Sequence, residues 1–166
     1  SSYLPEISAG QATLWHHSME AGAELDPDSL GVQAFLEGDD YILDGRATFV
    51  GIGDWPDYLW TLAVTDPLRP QRLNLGVFMI DARSPGITIR TQRLLRGSER
   101  FVFFDNVRVP KTNMVGEVNQ GWYVGATLLD FERSGVGRFG SNRRSLEELV
   151  WLATETKRNG RALADD

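Results

Sequence analysis

The spacing of apolar residues changes at Pro110, and this change limits what the chain can fold into. From Phe101 to Val109, apolar residues recur at alternate positions, which is the period of two that a β-strand requires. Asp105-Asn106 interrupts the alternation as a bulge or tight bend would, and Pro110 ends the strand because it has no amide hydrogen to donate. After Asn119 the apolar spacing becomes helical. The sequence therefore predicts a mainly β domain followed by a helical C-terminal segment.

The part of the chain before Pro110 contains further short segments of strand character, separated by turn residues. Two of them, 58–64 and 73–80, are apolar on both faces, which indicates buried central strands. Gly38-Asp39 lies between two others and predicts a hairpin. The remaining predicted strands are 11–18, 31–37, 40–43, 48–52 and 86–92. Seven or eight short strands at this spacing predict an antiparallel β-barrel or two-sheet sandwich.

The segment after Asn119 carries an apolar stripe at spacings of three to five residues, which predicts one long helix or two helices. Gly135, Gly137 and Gly140 weaken its middle, since a glycine in a helix interior costs about 1 kcal/mol relative to alanine. We therefore expect any break near these glycines, and the end of the helix before Asn159-Gly160. A stripe of this length needs further helices or a partner chain to cover it.

The composition argues against several classes of function. The 166 residues carry a formal charge of -6 and show no basic run, which argues against binding of nucleic acid. Without cysteine the chain has neither a disulfide framework nor thiolate chemistry. No stretch has the apolar length of a membrane span or the apolar core of a signal peptide, so we expect a cytoplasmic protein. Neither end carries a capping signal, and we expect the sequence to be a piece of a longer protein.

Two patterns that could indicate ligands are better explained by structure. Gly135-Val-Gly-Arg-Phe-Gly140 has the glycine spacing of a dinucleotide site, but no strand precedes it and the helical pattern continues through it. His16-His17 lies in a predicted strand, where adjacent side chains point to opposite faces and cannot easily bind one ion. We expect no metal site.

The stretch from Val102 to Pro110 reads Val-x-Phe-Asp-x-Val-Arg-Val-Pro, and Val-Gly-x-x-x-x-Gly follows at 115–121. These motifs resemble the end of the middle β domain of acyl-CoA dehydrogenases and its connection to the C-terminal helices. The resemblance covers nearly the whole chain. It implies a middle β-barrel domain over residues 1–116 and the start of a C-terminal helical domain over residues 117–166.

The same resemblance implies an activity and its partners. Acyl-CoA dehydrogenases oxidise an acyl-CoA thioester to the 2,3-enoyl-CoA with hydride transfer to FAD, and they pass the electrons to an electron-transfer flavoprotein. The full-length protein is then expected to be a homo- or hetero-tetramer. Two alternatives stay open on the same fold: a non-catalytic, dehydrogenase-like subunit of a hetero-oligomer, and a flavin-dependent monooxygenase.

The sequence around Trp15 is similar to the strand by which the family contacts its flavin, and to the loop Thr-Glu-Pro-x-Ala-Gly-Ser-Asp that follows. By position, the resemblance places Leu14, Trp15, His16 and His17 along the flavin, with His17 in the place of the threonine. An imidazole can still donate a hydrogen bond to a flavin ring atom. Ala23 replaces the serine that contacts the pantetheine of the substrate, and it cannot make that hydrogen bond.

Residues 44–53, Asp-Gly-Arg-Ala-Thr-Phe-Val-Gly-Ile-Gly, are similar to the family's Asn-Gly-x-Lys-x-Trp-Ile-Thr-Asn-Gly. In the family, that tryptophan packs against the flavin and the threonine donates a hydrogen bond to it. Phe49 keeps an aromatic surface, whereas Gly51 loses a hydrogen bond whose net contribution is about 0.5–1.5 kcal/mol. The alternative for Phe49 is a place in the core.

The segment Asp130-Phe-Glu-Arg133 resembles a Leu-x-x-Glu-Arg signature on the helix that follows the family's middle domain. The resemblance implies that Asp130 and Arg133 help to hold the acyl-CoA, and that Glu132 is the base that removes the α proton. A desolvated carboxylate suits this task because burial raises its proton affinity. Most family members place the base later in the sequence. The alternative is a solvated Glu132 paired with Arg133 or Arg138.

Overall fold

The computed structural model describes residues 3–17, 31–51, 53–70, 72–95, 97–158 and 161–162. The chain forms two compact units, Ser1–Thr127 and Leu128–Asp166. Within the described ranges, no helix has the length and apolar character needed to cross a bilayer. The domain boundary between residues 116 and 117 rests on the resemblance alone and stays a prediction.

The first unit is a β structure that a short helix, α1 (Tyr3–Ser8), precedes. In the part of the chain that the structure describes, its sheet has seven strands: β1 (Leu14–His17), β2 (Val32–Glu37), β3 (Asp40–Val50), β4 (Tyr58–Val64), β5 (Leu75–Asp81), β6 (Ile87–Arg93) and β7 (Ser98–Pro110). The mainly β prediction is confirmed. Pairing is antiparallel, except that β1 and β2 both run parallel to β4.

Strands β1 and β2 lie one after the other between the same two strands, β3 and β4. His17 of β1 lies opposite Phe49 near the end of β3, and Val32 of β2 lies opposite Gly45 closer to its beginning. Because both β1 and β2 also pair with β4, these four strands close into a small barrel. Strand β5 extends the sheet beside β4, while β7 and then β6 extend it beside β3.

A bulge in β7 changes which side of this long strand faces the core. Asp105 and Asn106 together lie opposite the single residue Asp44, and the pairing register shifts by one residue there. Asn106 has a left-handed backbone with φ of 51°, and its amide donates a hydrogen bond to the Asp44 carboxylate at 2.9 Å. The predicted interruption at this dipeptide is therefore confirmed as a bulge. The buried residues of β7 are Val102 and Phe104 before it, and Val107 and Val109 after it.

The inward-facing residues of the barrel form one apolar core. Strand β4 is buried along nearly its whole length, as its two apolar faces predict. Each large apolar side chain that is fully buried contributes about 1.5–3 kcal/mol to folding, so this core dominates the stability of the first unit. Its larger members are Trp15, Leu43, Phe49, Leu59, Phe78, Ile80 and Phe104.

The predicted strands 40–43 and 48–52 are wrong as separate elements, because β3 continues through both positions from Asp40 to Val50. Gly45 lies between them with φ of 125°, a conformation that favours glycine. A side chain at Gly45 would overlap the carbonyl group of Gly31, which accepts a hydrogen bond from the Arg46 amide at 2.6 Å. The glycine therefore serves a close backbone approach and does not end the strand.

Two helices follow the β structure: α2 (Gly121–Arg133) and α3 (Val136–Glu155). The break between them is at Ser134-Gly135, where Gly135 has a left-handed φ of 69°. Of the two predicted alternatives, two helices with a break is therefore correct. The predicted apolar stripe on α3, which includes Phe139, Leu146 and Leu149, is exposed in this chain. A short hairpin that was not predicted, β8 (Lys157–Arg158) and β9 (Arg161–Ala162), follows α3 in the second unit.

Candidate active site

The predicted flavin-contacting residues of the first unit come together at one end of the barrel. Strand β1 ends beside the end of β3, with His16 opposite Val50 and His17 opposite Phe49. Gly51 comes directly after β3. The structure therefore brings Leu14–His17, Phe49 and Gly51 to one place. Ala23 lies outside the described residues.

The ring-bearing side chains at this barrel end are enclosed by the protein itself. The exposed fraction is 0% for Trp15, 2% for Phe49 and 6% for His17, whereas Leu14 and His16 are half-buried. Phe49 packs between the His17 ring, at 5.5 Å between centroids, and the Phe104 ring, at 6.3 Å. The Phe49 ring is thus part of the core.

The His17 imidazole forms a hydrogen bond with the main chain of β4, at the end of β1. Its Nδ1–H donates a hydrogen bond to the Leu62 carbonyl of β4 at 3.0 Å, because a carbonyl oxygen can only accept. In the neutral imidazole the other nitrogen, Nε2, then carries a lone pair and no proton. The pKa of His17 is lowered from 6.5 to about 4, mainly because the side chain is buried; the hydrogen bond to Leu62 opposes this shift and the neighbouring His16 adds to it. His17, which the resemblance predicts to donate a hydrogen bond to the flavin, therefore donates its Nδ1–H to β4 within the barrel.

The pKa of His17 predicts that the folded protein loses stability in mild acid. Because the folded-state pKa lies below the unfolded value of 6.5, the unfolded chain takes up a proton first as the pH falls from about 6.5 to about 4. We expect His17 to lower the free energy of unfolding by about 2 kcal/mol between pH 7 and pH 4.5. The free energy of unfolding is measured in urea at both pH values for the wild type and for His17→Phe. The loss between pH 7 and pH 4.5 should be about 2 kcal/mol larger in the wild type than in the variant.

The half-buried His16 provides the matched control for this experiment. His16→Gln removes a neighbouring imidazole and keeps His17, so it should keep most of the loss of stability in acid. Equal acid sensitivity of the wild type and His17→Phe would contradict the prediction.

Gly51 lies directly against the indole ring of Trp15. A side chain at position 51 would overlap Trp15 Cδ1, and its Cβ would lie 2.7 Å from Nε1. On the ring of Trp15 lies the Arg100 guanidinium, with Cζ 4.8 Å from the ring centroid. Arg100 Nη2 also donates a hydrogen bond to the Gly53 carbonyl at 3.2 Å. Sequence reasoning missed Arg100 and the Leu62 carbonyl, since neither a long-range cation–π contact nor a main-chain acceptor leaves a local motif.

The predicted catalytic and substrate-binding residues Asp130, Glu132 and Arg133 lie in the last turn of α2, in the second unit. All three are exposed in this chain. Asp130 and Arg133 are three positions apart and lie on the same side of the helix. Among the described residues Glu132 forms no ion pair, so the predicted pairing with Arg133 or Arg138 is not observed. The described parts of the chain contain no cluster of three or more histidine or acidic side chains suited to a metal ion.

Comparison of this chain with known proteins identifies similar sequences. No protein-family model matches the chain. It is 31% identical over 169 residues to subunit CarC of the caffeyl-CoA reductase-Etf complex of Acetobacterium woodii, and 32% identical over 170 residues to the acyl-CoA dehydrogenase IpdE1 of Mycobacterium tuberculosis. These alignments cover 98% and 99% of this chain but only 44% and 42% of the relatives. The chain thus spans less than half the length of the curated relatives it matches.

A solved structure supports the same assignment. The G363A variant of the steroid ACAD Tcur3481-Tcur3483 aligns with a TM-score of 0.76 at 29% identity, over 90% of this chain and 40% of the other. The barrel and the helices after it thus have the fold of acyl-CoA dehydrogenases. More narrowly, the chain belongs to the acyl-CoA dehydrogenase family, whose cofactor is FAD.

The described side chains at the barrel end do not fit the flavin contacts that the resemblance implies. The Nδ1–H of His17 is hydrogen-bonded to Leu62, Phe49 is buried beside the His17 and Phe104 rings, and Trp15 lies against Gly51. The barrel end is packed as a core. The assignment of Leu14–His17, Phe49 and Gly51 to a flavin site stays a prediction.

Proposed function

We propose that the full-length protein is an acyl-CoA dehydrogenase-type oxidoreductase that converts an acyl-CoA thioester to the 2,3-enoyl-CoA. The observation that carries the proposal is the exposed Asp130–Arg133 turn at the end of α2, in a chain that belongs to this family. Its carboxylates and guanidinium are available to a substrate, since no ion pair among the described residues occupies them.

In this proposal Glu132 removes the α proton of the acyl chain, whose acidity the thioester carbonyl increases, and FAD held in the assembly would accept the hydride that leaves the β carbon. Asp130 and Arg133 hold the acyl-CoA, and the guanidinium is suited to bind an oxygen acceptor with two hydrogen bonds. General-base catalysis of this kind needs a carboxylate that is shielded from water, and Glu132 is exposed in this chain. The proposal therefore requires residues outside the described ranges, or a partner chain, to enclose Glu132.

The partners and location follow from the same proposal. We propose that the full-length protein forms a homo- or hetero-tetramer, transfers electrons to an electron-transfer flavoprotein and acts in the cytoplasm. One relative supports the electron-transfer partner, since its name describes a subunit of a reductase-Etf complex. The exposed apolar stripe of α3 supports burial of this helix in a larger assembly.

A second candidate is favoured by the packed barrel end. With Trp15, His17 and Phe49 enclosed, the chain fits a non-catalytic, dehydrogenase-like subunit whose partner chain supplies the flavin. Both candidates concern the same family and differ in which chain of the assembly holds the cofactor.

The deciding experiment uses the purified full-length protein, alone and with any subunit that co-purifies. FAD content per chain and the rate of enoyl-CoA formation in the presence of an artificial electron acceptor are measured. Enoyl-CoA formation by the protein alone supports the first candidate, and formation only in the presence of a second, flavin-bearing subunit supports the other. Oxygen consumption coupled to hydroxylated product, without enoyl-CoA, would overturn both in favour of a monooxygenase.

A further inference from the structure

The barrel end that the family resemblance assigns to a flavin holds a compact cluster of three residues, Trp15, Gly51 and Arg100, which we call the indole plug. The Trp15 ring has no exposed surface. Gly51 lies against one part of the ring, in a contact that leaves no space for a side chain. The Arg100 guanidinium covers the ring at 4.8 Å and is itself fixed by its hydrogen bond to the Gly53 carbonyl.

The plug couples two positions that are far apart in sequence. By the resemblance, position 51 carries a hydroxyl side chain directed at the flavin, and in this chain the Trp15 indole lies where that side chain would begin. A hydroxyl at position 51 therefore cannot be restored while Trp15 keeps its place. Gly51 and Trp15 therefore depend on each other, because the absence of a side chain at position 51 leaves the space that the Trp15 indole occupies.

We propose that the indole plug closes this end of the barrel to the isoalloxazine ring of FAD, and that Trp15 is the residue that sets this exclusion. Because the Trp15 ring is fully buried and the Arg100 guanidinium lies over it, moving the ring out of the core would lose both its burial and its cation–π contact. The neighbouring side chains support the closed state, because His17 and Phe49 stack on each other at 5.5 Å inside the same core. The proposal concerns this chain's own barrel and agrees with the second candidate above, in which a partner chain holds the flavin.

The experiment combines stability with FAD affinity in the full-length protein. We expect Gly51→Thr alone to lower the melting temperature, because threonine overlaps the indole. The double variant Trp15→Ala, Gly51→Thr should lose less stability than the sum of the two single variants, because the overlap is absent. We expect the double variant to bind FAD about tenfold or more tightly than the wild type, as one restored hydrogen bond and an opened surface allow. Trp55→Ala, at a tryptophan that is 48% exposed, is the control and should leave FAD affinity unchanged.

A second measurement is made on the wild-type protein and does not depend on a variant with a cavity in its core. In the wild type labelled with 5-fluorotryptophan, and with the Trp15 resonance assigned from Trp15→Phe, saturation with FAD should leave that ¹⁹F resonance unshifted. A shift of the Trp15 resonance, a Gly51→Thr variant as stable as the wild type, or a folded double variant with unchanged FAD affinity would each overturn the proposal. None of these readouts requires turnover, so loss of the dehydrogenase activity proposed above would not imitate these results.

Discussion

Glu132→Gln is expected to slow enoyl-CoA formation by the full-length protein by about 10²–10⁴-fold, the usual scale for loss of a general base. Glutamine keeps the shape and most hydrogen bonds of glutamate but cannot accept the α proton. Because Asp130 and Arg133 remain in place, the affinity for acyl-CoA should change little. The rate is measured as enoyl-CoA formation at saturating acyl-CoA, and the affinity by titration of acyl-CoA binding.

Glu148→Gln is a suitable control for this experiment. Glu148 is also an exposed helical glutamate, but it lies in α3 and accepts a hydrogen bond from Arg144 at 3.0 Å. It should keep the wild-type rate. An unchanged rate in Glu132→Gln would remove Glu132 from the mechanism and leave Asp130 and Arg133 as substrate-holding residues only.

Gly45→Ala is expected to destabilise the barrel strongly. Its φ of 125° is strained for any residue with a side chain, and a Cβ would overlap the carbonyl of Gly31, with the Gly31 carbonyl carbon at 2.7 Å. Backbone strain of about 1–3 kcal/mol and overpacking of about 1–3 kcal/mol add to roughly 4 kcal/mol. At about 2–4 °C per kcal/mol, the melting temperature should fall by about 10 °C or more.

Gly38→Ala separates backbone strain from steric overlap. Gly38 also has a positive φ, of 64°, but nothing lies within 4 Å of its added Cβ. It should therefore lose only about 1 kcal/mol. Similar losses for the two variants in thermal unfolding would show that the close approach to Gly31 is unimportant.

The β-to-helix order of the fold was predictable because it depends on local period. The bulge at Asp105-Asn106, the hairpin at Gly38-Asp39 and the break near Gly135 all follow from residues that favour turns or left-handed backbone. The parallel pairing of β1 with β4 was not predictable, because β-strand partners far apart in sequence leave no local pattern. Gly45 was misleading for the same reason, since the backbone that needs its missing side chain belongs to Gly31.

The sequence allowed us to predict which residues belong to the candidate site, but not how their side chains are arranged. Trp15, Phe49 and Gly51, which the resemblance assigns to one site, lie close together because β1 pairs with β3. The resemblance carried no information on where the Trp15 indole lies, since that depends on the absent side chain at position 51. Likewise, the hydrogen-bonding capacity of His17 was clear from its chemistry, but the Leu62 carbonyl that uses it lies 45 residues away.

The end-to-end placement of β1 and β2 has a consequence for how the barrel can change in evolution or by engineering. Along β3, the partners of His17 and Val32 are Phe49 and Gly45, four residues apart. The connection between β1 and β2 therefore leaves and rejoins the sheet across a gap of about 13 Å. Doubling the length of a loop that closes such a gap costs only about 0.6 kcal/mol more. The sequence that connects β1 to β2 can therefore be replaced by one of very different length, even by an inserted domain, while the pairing of both strands stays intact.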